Sequence, residues 1–353
     1  MKKAENIIVG ISIGDLNGIG SEVVLKTFED IRMLEFCTPV IFANVKMLSF
    51  LKKSFDCGAM LHGIDTIDQL VIGKINVLNV WRDSFTLEYG KNDSIVGEYA
   101  IKSFVAATAA LKNNEIDVLV TAPINKYNIQ SEDFKFPGHT DYLNQELEGN
   151  ALMFMIQDNL RVGLLTDHVP VSDVSKHLTA ELVTTKIETI KKSLIQDFSI
   201  NKPRIAVLGL NPHAGDGGVI GNEDDEILKP VIKKMFEKGT LVFGPYPADG
   251  FFGSAQYEKY DAVIATYHDQ GLIPFKTLSF GKGVNYTAGL NKIRTSPDHG
   301  TAYDIAGKGI ADYNSFKEAV YLAIDIYNSR EVYDEISEKP MKITKKEISR
   351  RRE

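Results

Sequence analysis

The stretch AVIATYHDQGLIPFK, Ala262–Lys276, points most directly to the fold class. It opens with an apolar run that stops abruptly at His268 and Asp269, before a turn at Gly271. A short run that is apolar throughout is typical of a strand buried on both faces. Such strands belong to largely parallel sheets that are covered by helices. The stretch therefore predicts an α/β protein in which one strand presents an imidazole and a carboxylate at its carboxyl end.

Six further runs have the same character and alternate with longer amphipathic stretches. The predicted strands are IIVGIS, PVIFAN, INVLNV, DVLVTAP, RVGLLT and RIAVLGL, and the helix patterns include GEYAIKSFVAATAALKNN and AELVTTKIETIKKSLIQDF. A chain of 353 residues is too long for one ordinary core and suits two domains. In such folds ligands collect at the carboxyl ends of the strands, so the residues that follow each strand are the candidates for a site.

Composition narrows the class of protein. The chain is 44% hydrophobic and 25% charged, which is globular, and its net charge of −7 argues against nucleic acid or an anionic membrane as the main partner. Cys37 and Cys57 offer no disulfide framework and are expected to be buried thiols. The N-terminal segment breaks before a signal-length apolar run, and no run approaches the roughly 18 apolar residues of a membrane helix. We expect a cytoplasmic protein with a short, solvated tail, KKEISRRRE.

Three of the seven histidines follow predicted strands closely. His168 comes after RVGLLT, His213 after RIAVLGL, and His268 after AVIAT. A single histidine in such a place is more often structural. Because the carboxyl ends of parallel strands meet at one edge, three imidazoles could converge there and form a catalytic site for a divalent metal.

Two carboxylates accompany these histidines. Asp269 follows His268 directly, and Asp249 lies in GPYPADGFF. Either could orient a ligand histidine or take up a proton. A turn residue before Gly250 is the structural alternative for Asp249.

Downstream residues suggest a pocket for an anion. Lys276, Asn285 and Arg294 supply a point charge, an amide and a guanidinium fork, which together could hold a phosphate or a carboxylate. His139 and Thr140, in FPGHTDYLN, stand at a predicted helix start, where free backbone amides also attract anions. The alternative for Thr140 is a simple N-cap.

Neither glycine-rich loop matches a nucleotide-binding motif. GDLNGIG and GDGGVIG lack the spacing of the Rossmann fingerprint, and no Gly-Lys-Ser/Thr follows them as in a Walker A loop. GDLNGIG is expected to be a tight strand-to-helix turn.

Several segments together resemble the 4-hydroxythreonine-4-phosphate dehydrogenase family. They are GDLNGIGSE, TAPINK, FPGHT, GLNPHAGDGG, YHDQGL, GKGVN and IRTSPDHGTAYDIAGKG, and they span residues 14–309 in the family's order. The resemblance implies an isocitrate/isopropylmalate dehydrogenase-like fold, not a Rossmann fold, with two α/β/α domains and a cleft between them. The expected domains are residues 1–128 with 300–353, and residues 129–299.

The resemblance also implies an activity and a set of site residues. The family oxidises 4-phosphohydroxy-L-threonine with NAD to 2-amino-3-oxo-4-(phosphooxy)butanoate, which decarboxylates to 3-amino-2-oxopropyl phosphate for pyridoxal phosphate (vitamin B6) synthesis. The implied cofactors are NAD or NADP and one divalent metal per subunit, zinc, cobalt, manganese or magnesium, in a homodimer with a shared site. The residues carried over are the metal ligands His168, His213 and His268; the substrate contacts His139, Thr140, Lys276, Asn285 and Arg294; and the cofactor contacts His299, Gly300 and Asp304.

Alternative functions stay open at this point. A paralogous dehydrogenase would use the same machinery on 4-phosphothreonate or 4-phosphoerythronate, which carry a hydroxyl in place of the amine. A metal-dependent phosphoesterase could use the same histidines and anion pocket but would need no dinucleotide. A non-enzymatic sugar-phosphate binding module would keep the anion pocket and would lose little if the histidines were removed.

Overall fold

The computed structural model describes residues 6–132 and 134–338, so the predicted tail KKEISRRRE lies outside the described residues. Within these ranges, strands join into one twelve-stranded sheet. The strands are β1 Ile7–Ser12, β2 Cys37–Ala43, β3 Leu61–Ile64, β4 Ile75–Asn79, β5 Val118–Thr121, β6 Gly149–Gln157, β7 Leu160–Leu164, β8 Ile205–Leu208, β9 Val242–Tyr246, β10 Ala262–Ala265, β11 Val284–Leu290 and β12 Ile293–Pro297.

The sheet has parallel flanks and an antiparallel centre. Its order is β3-β4-β2-β1-β5-β12-β11-β6-β7-β10-β8-β9. Pairs on both flanks are parallel, whereas β11 runs antiparallel to both β12 and β6, and β6 runs antiparallel to β7. The prediction of a largely parallel sheet is confirmed. Because three antiparallel pairs separate them, β5 and β7 run in opposite directions, and their carboxyl ends lie at opposite edges of the sheet.

Helices follow most of the parallel strands. Their bounds are α1 Gly20–Thr27, α2 Val45–Ser54, α3 Ser94–Lys112, α4 His139–Glu146, α5 Val174–His177, α6 Ala180–Gln196, α7 Lys229–Glu237, α8 Ala248–Gly253, α9 His268–Ser279 and α10 Asn314–Glu338. Three of them begin at side-chain caps that the sequence supplies, and at the start of α2 Asn44 accepts hydrogen bonds from the amides of Lys46 and Met47. Asp93 accepts a hydrogen bond from the amide of Ile95 at the start of α3, and Thr179 accepts one from Leu182 at the start of α6.

Both faces of the sheet are covered, as the fully apolar strands require. Val118 and Val120 of β5 point into a core shared with α1, α2, α6, α7 and α10, while Leu119 between them points into a core with α3 and α4. On the same face as α3 and α4, a third core lies under α8 and α9. The face therefore carries helices at both flanks, and the central strands lie between α4 and α9.

All seven predicted strands are confirmed within a few residues, and five strands were missed. The missed strands are β3, β6, β9, β11 and β12. The segment GKGVNYTAGLNKIRTS, interpreted from the sequence as an anion pocket, contains the antiparallel pair β11 and β12. Its glycines and polar residues hide the strand pattern, because a face that lines a cavity does not need apolar side chains.

The domain boundaries stay a prediction. Residues 128 and 300 lie in the loops after β5 and β12, but the hydrogen-bonded sheet is continuous across the two predicted domains.

Cys37 and Cys57 are free and buried, and burial raises the pKa of the Cys37 thiol to about 12. Of the described helices, α3 has the length and hydropathy to cross a membrane, and 56% of that window is buried inside the protein.

Candidate active site

A cavity of about 300 Å³ lies between α4 and α9, over the central strands of the sheet. Met153 and Met155 of β6 contribute apolar lining, and Thr121 at the end of β5 contributes a hydroxyl. The cavity brings together nine of the residues that the sequence analysis singled out. They are His139, Thr140, His168, His268, Lys276, Asn285, Arg294, His299 and Gly300.

Arg294 is a buried cation without an anionic partner. It lies on β12 and is only 2% exposed. Its Nε and Nη2 donate to the Thr121 hydroxyl at 3.0 and 2.6 Å, and its Nη1 donates to the Thr287 hydroxyl at 3.1 Å. No carboxylate among the described residues pairs with it, and burial lowers the pKa of its guanidinium to about 9. A buried charge is costly unless it is paired, so this arrangement suits an anionic ligand.

His139 adds an unpartnered polar atom beside this guanidinium. Its Nδ1 lies 3.1 Å from Arg294 Nη2, so Nδ1 is the acceptor and the proton of the neutral ring resides on Nε2. That Nε2 is buried and has no hydrogen-bond partner. Burial, Arg294 and Lys126 together hold the pKa of His139 well below its usual range, so the ring stays neutral. His139 lines the cavity, and its neutral Nε2–H, without a partner, is a hydrogen-bond donor for a ligand that reaches it.

The helix start predicted around His139 is confirmed, since α4 begins at this residue. The N-cap, however, is Gly138, and no side chain caps the helix, so the interpretation of Thr140 as an N-cap is wrong. Thr140 lies one residue inside the helix and lines the cavity. The first amides of α4 therefore lack a side-chain acceptor, and they add positive potential at this end of the cavity.

Lys276 and Asn285 complete the predicted anion pocket. Lys276 projects from α9, and its ammonium donates to the carbonyl oxygen of Asp298 at 3.1 Å. Asn285 is partly buried on β11, opposite Ser296 of β12, and both residues line the cavity. Three types of polar group, an ammonium, a guanidinium and an amide, thus approach the same space.

Two imidazoles lie together at another part of the lining. The ring centroids of His168 and His268 are 6.0 Å apart. His268 is the first residue of α9 rather than the last of a strand, and its Nδ1 lies 2.7 Å from Asp269 Oδ1. The carboxylate therefore orients one ring, while burial, reinforced by Lys126, lowers the pKa of His168. Neutral imidazoles are the form that binds metal ions.

The other predicted metal and proton-transfer residues lie outside this cavity. His213 is exposed in a left-handed turn after β8, with φ of 54°. Among residues 6–132 and 134–338, no group of three or more His, Cys, Asp or Glu side chains is close enough to hold a metal. Asp249 is exposed in the first turn of α8, where a carboxylate suits the helix dipole, so its interpretation as a residue of a turn is wrong. Two of the three proposed ligands are therefore close together in this chain.

The loop after β12 closes one side of the cavity. His299 Nδ1 lies 3.0 Å from the carbonyl oxygen of Gly300, and its Nε2 is buried without a partner. No atom lies within 4 Å of a Cβ built at Gly300, so the backbone is open to a ligand there. Asp304, the third predicted cofactor contact, is exposed and does not line the cavity.

Lys126 lines the cavity and was missed as a site residue. It belongs to TAPINK, a segment that contributed to the family resemblance without a role for any single residue. Its position after β5 is the signal that could have found it, because the carboxyl end of a strand is where ligands collect.

The chain matches one protein family over most of its length. A family model described as pyridoxal phosphate biosynthetic protein PdxA matches residues 35–323. A 4-hydroxythreonine-4-phosphate dehydrogenase of Bacteroides thetaiotaomicron is 48% identical, over 92% of this chain and 90% of that protein. A D-threonate 4-phosphate dehydrogenase of Cupriavidus necator is 36% identical, over 92% and 98% of the two chains.

A solved structure gives the same result for the fold. The crystal structure of the 4-hydroxythreonine-4-phosphate dehydrogenase from Klebsiella pneumoniae superposes with a TM-score of 0.78 and is 31% identical, over 93% of this chain and 99% of that one. This likeness confirms the predicted fold class, and the sequence matches confirm the predicted resemblance. The chain therefore belongs to the PdxA family of oxidoreductases.

Proposed function

We propose that this protein oxidises 4-phosphohydroxy-L-threonine with NAD and divalent metal, and that the product loses carbon dioxide to give 3-amino-2-oxopropyl phosphate. The observation that carries the proposal is the buried, unpaired guanidinium of Arg294 beside the unpartnered Nε2 of His139. A cation that no carboxylate among the described residues offsets and a neutral donor without a hydrogen-bond partner, both in residues that line a cavity of about 300 Å³, fit a small phosphorylated substrate.

The anion pocket would hold the substrate's charged groups. Arg294 and Lys276 supply positive charge, Asn285 supplies an amide, and His139 and Thr140 stand at the uncapped start of α4. Hydrogen bonds between charged groups and ligand oxyanions are roughly twice as strong as neutral ones. These residues would bind and orient the substrate so that its secondary hydroxyl faces His168 and His268.

Hydride transfer requires groups that a protein side chain does not provide. The nicotinamide cofactor supplies the hydride acceptor, and the divalent metal supplies the Lewis acidity that eases loss of the hydroxyl proton. His168 and His268 would hold the metal, with Asp269 orienting the His268 ring. His299 and Gly300 would contact the cofactor, since one has a free ring nitrogen and the other an open backbone.

We also propose a homodimer with a shared site. The support is the separation of the imidazoles, since His213 lies outside the cavity that holds His168 and His268. A second subunit would supply the missing third ligand. Mixing a His213→Ala variant with a Lys276→Ala variant should then restore NADH formation in heterodimers, up to about half per dimer by counting sites. A lack of restored activity after confirmed subunit exchange would contradict the shared site. We also propose a cytoplasmic location, which is supported by the sequence pattern of the N-terminal segment and by the family.

The second candidate is oxidation of D-threonate 4-phosphate, favoured by the Cupriavidus necator relative. Its substrate has a hydroxyl where 4-phosphohydroxy-L-threonine has an amine. The deciding experiment measures NADH formation with zinc or manganese present and compares kcat/KM for these two compounds and 4-phosphoerythronate. The proposal predicts the highest kcat/KM for 4-phosphohydroxy-L-threonine, the compound that carries the amine. A higher value for either hydroxy acid would reassign the substrate, and a lack of NADH with all three would reject the dehydrogenase function.

A further inference from the structure

Lys126 occupies a position between the two parts of the cavity. It lies in the loop after β5, and its Cε is the one atom within 4.0 Å of a Cβ built on Gly138, the N-cap of α4. Its ammonium contributes to the depressed pKa of both His139 and His168. Lys126 therefore lies close enough to act electrostatically on both His139 of the anion pocket and His168 of the imidazole pair.

In the part of the chain that the structure describes, this exposed ammonium has no hydrogen-bond or ion-pair partner. Among the described residues, no carboxylate pairs with Lys126 Nζ, whereas several other lysines of the chain pair with a neighbouring acid, as Lys112 does with Glu146. Asp141 and Asp298 are the carboxylates that line the same cavity, against the cations Lys126, Lys276 and Arg294. Three cations against two carboxylates leave one positive charge in excess, which favours an anionic ligand.

A buried hydrogen-bond network fixes the loop that carries Lys126. Asp15, only 1% exposed, accepts hydrogen bonds from the Tyr303 hydroxyl at 2.8 Å and from Asn128 Nδ2 at 3.1 Å. The Tyr303 oxygen in turn accepts from Asn125 Nδ2 at 3.0 Å and from Asn128 Nδ2 at 2.9 Å. The amide of Asp15 also donates to the carbonyl oxygen of Pro123 at 2.9 Å. The loop is thus bound on both sides of Lys126.

The network also joins the loop to the opposite wall of the cavity. Tyr303 follows His299 and Gly300 by a few residues, and the amide of Ile19 donates to the carbonyl oxygen of Thr301 at 3.0 Å. Burial raises the pKa of Asp15, which shows that placing a carboxylate here has a free-energy cost. A fully partnered polar network at such a cost is expected to position a site rather than to add stability.

We propose that Lys126 binds an oxyanion of the substrate, and that the network of Asp15, Asn128 and Tyr303 holds Lys126 toward the cavity. The inference deepens the proposed function and rests on it for the identity of the substrate. Lys126 is a binding residue in this scheme, while Asp15, Asn128 and Tyr303 are positioning residues.

The first test measures binding without turnover. Titration calorimetry compares wild type, Lys126→Met and the control Lys135→Met, which removes an exposed lysine that does not line the cavity. The probes are inorganic phosphate and 4-phosphohydroxy-L-threonine. We expect Lys126→Met to weaken the affinity for the phosphorylated substrate at least tenfold and Lys135→Met to change it less than twofold.

The two probes identify the oxyanion. Weaker binding of both means that Lys126 contacts the phosphate, and weaker binding of the substrate alone means that it contacts the carboxylate. Unchanged affinity for both probes, or a wild type that binds neither, overturns the inference. A wild type that binds the probes but produces no NADH contradicts the proposed function, and the role of Lys126 in binding is then still decided by the affinities.

The second test asks whether the network acts through Lys126. Tyr303→Phe removes one hydroxyl with little change of shape, and it should weaken substrate binding in the wild type but not in the Lys126→Met background. A purely structural role would lower affinity by the same factor in both backgrounds, and that result overturns the positioning role. If Tyr303→Phe does not fold, Asn125→Ala serves in the same comparison. It removes the hydrogen bond to the Tyr303 hydroxyl together with the side-chain hydrogen bonds to Asn92 and to the amides of Tyr127 and Asn128.

Discussion

Arg294 is buried and Arg330 is partly buried, and among the described residues only Arg330 of the two pairs with a carboxylate. The same substitution should therefore affect stability more at Arg330 and ligand binding more at Arg294. Arg294 has only hydroxyl and imidazole partners, whereas Arg330 donates to Asp197 Oδ1 at 2.7 Å and to the Tyr286 hydroxyl at 2.9 Å. Arg330→Met would leave Asp197 buried and uncompensated, which is expected to lower the free energy of unfolding by about 3–5 kcal/mol. Arg294→Met removes a buried charge that no carboxylate offsets, so its effect on the unliganded protein should be clearly smaller.

The effects on ligand binding should be reversed. Loss of one charge-assisted hydrogen bond to the substrate is worth about 1.5–3 kcal/mol, or roughly a 10- to 150-fold weaker Kd. At a substrate concentration of about 100 times the wild-type Kd, ligand stabilisation is about 2.7 kcal/mol, and it should fall to about 0.3–1.4 kcal/mol in Arg294→Met. Arg330 does not line the cavity, so Arg330→Met should keep the full stabilisation once its lower baseline is subtracted.

The assay is denaturant unfolding of both variants and wild type, with and without 4-phosphohydroxy-L-threonine. Each variant is its own unliganded reference, so a general loss of stability is separated from a loss of binding. If Arg294→Met kept the wild-type ligand stabilisation, the unpaired guanidinium would not be the anion-binding group. If Arg330→Met lost that stabilisation as Arg294→Met does, the contrast between the paired and the unpaired arginine would be wrong.

Three further predictions concern single groups of the site. Lys276→Ala should raise KM for the phosphorylated substrate about tenfold or more in steady-state assays, since it removes a charge-assisted contact, and the exposed control Lys282→Ala should not. Because the pKa of His139 is lowered in the folded state, the unfolded state takes up its proton first as the pH falls below about 6.5. The free energy of unfolding should therefore fall by up to about 1.4 kcal/mol per pH unit from this residue, and urea titrations of His139→Gln at pH 7 and 5.5 should show a smaller loss. Chelation should abolish NADH formation and added zinc or manganese should restore it, while full activity of a metal-free His213→Ala enzyme would contradict the metal assignment.

The sequence predicted the flanks of the sheet better than its centre. Strands such as β1 and β10 are buried on both faces, so their apolar runs identify them without further information. The central strands carry Asn285 and Arg294 on the face of the cavity, and this requirement of the site disrupts the pattern that would reveal a strand. The polar residues that line the cavity therefore hide the sequence pattern of the strands that carry them.

The site residues also divide into those that the sequence could predict and those that it could not. The histidine pair was predictable because strand ends at one edge converge, and His168 and His268 follow neighbouring strands β7 and β10. The burial of Arg294 was not predictable, since it depends on the register of β12 against β5 and on the hydroxyls of Thr121, which is distant in sequence, and of Thr287 on the neighbouring strand β11. Lys126 depends on a network that joins residues 15, 128 and 303, and no local pattern connects these positions.

The central claim is that the protein oxidises a phosphorylated hydroxy amino acid bound in this cavity, and that the product then loses its carboxylate as carbon dioxide. The most direct measurement is the simultaneous determination of NADH, carbon dioxide and inorganic phosphate after incubation of the metal-loaded protein with NAD and 4-phosphohydroxy-L-threonine. We predict equal amounts of NADH and carbon dioxide, with no release of phosphate and with strongly reduced rates in Arg294→Met. Release of inorganic phosphate without NADH would contradict the account and would indicate a phosphoesterase instead.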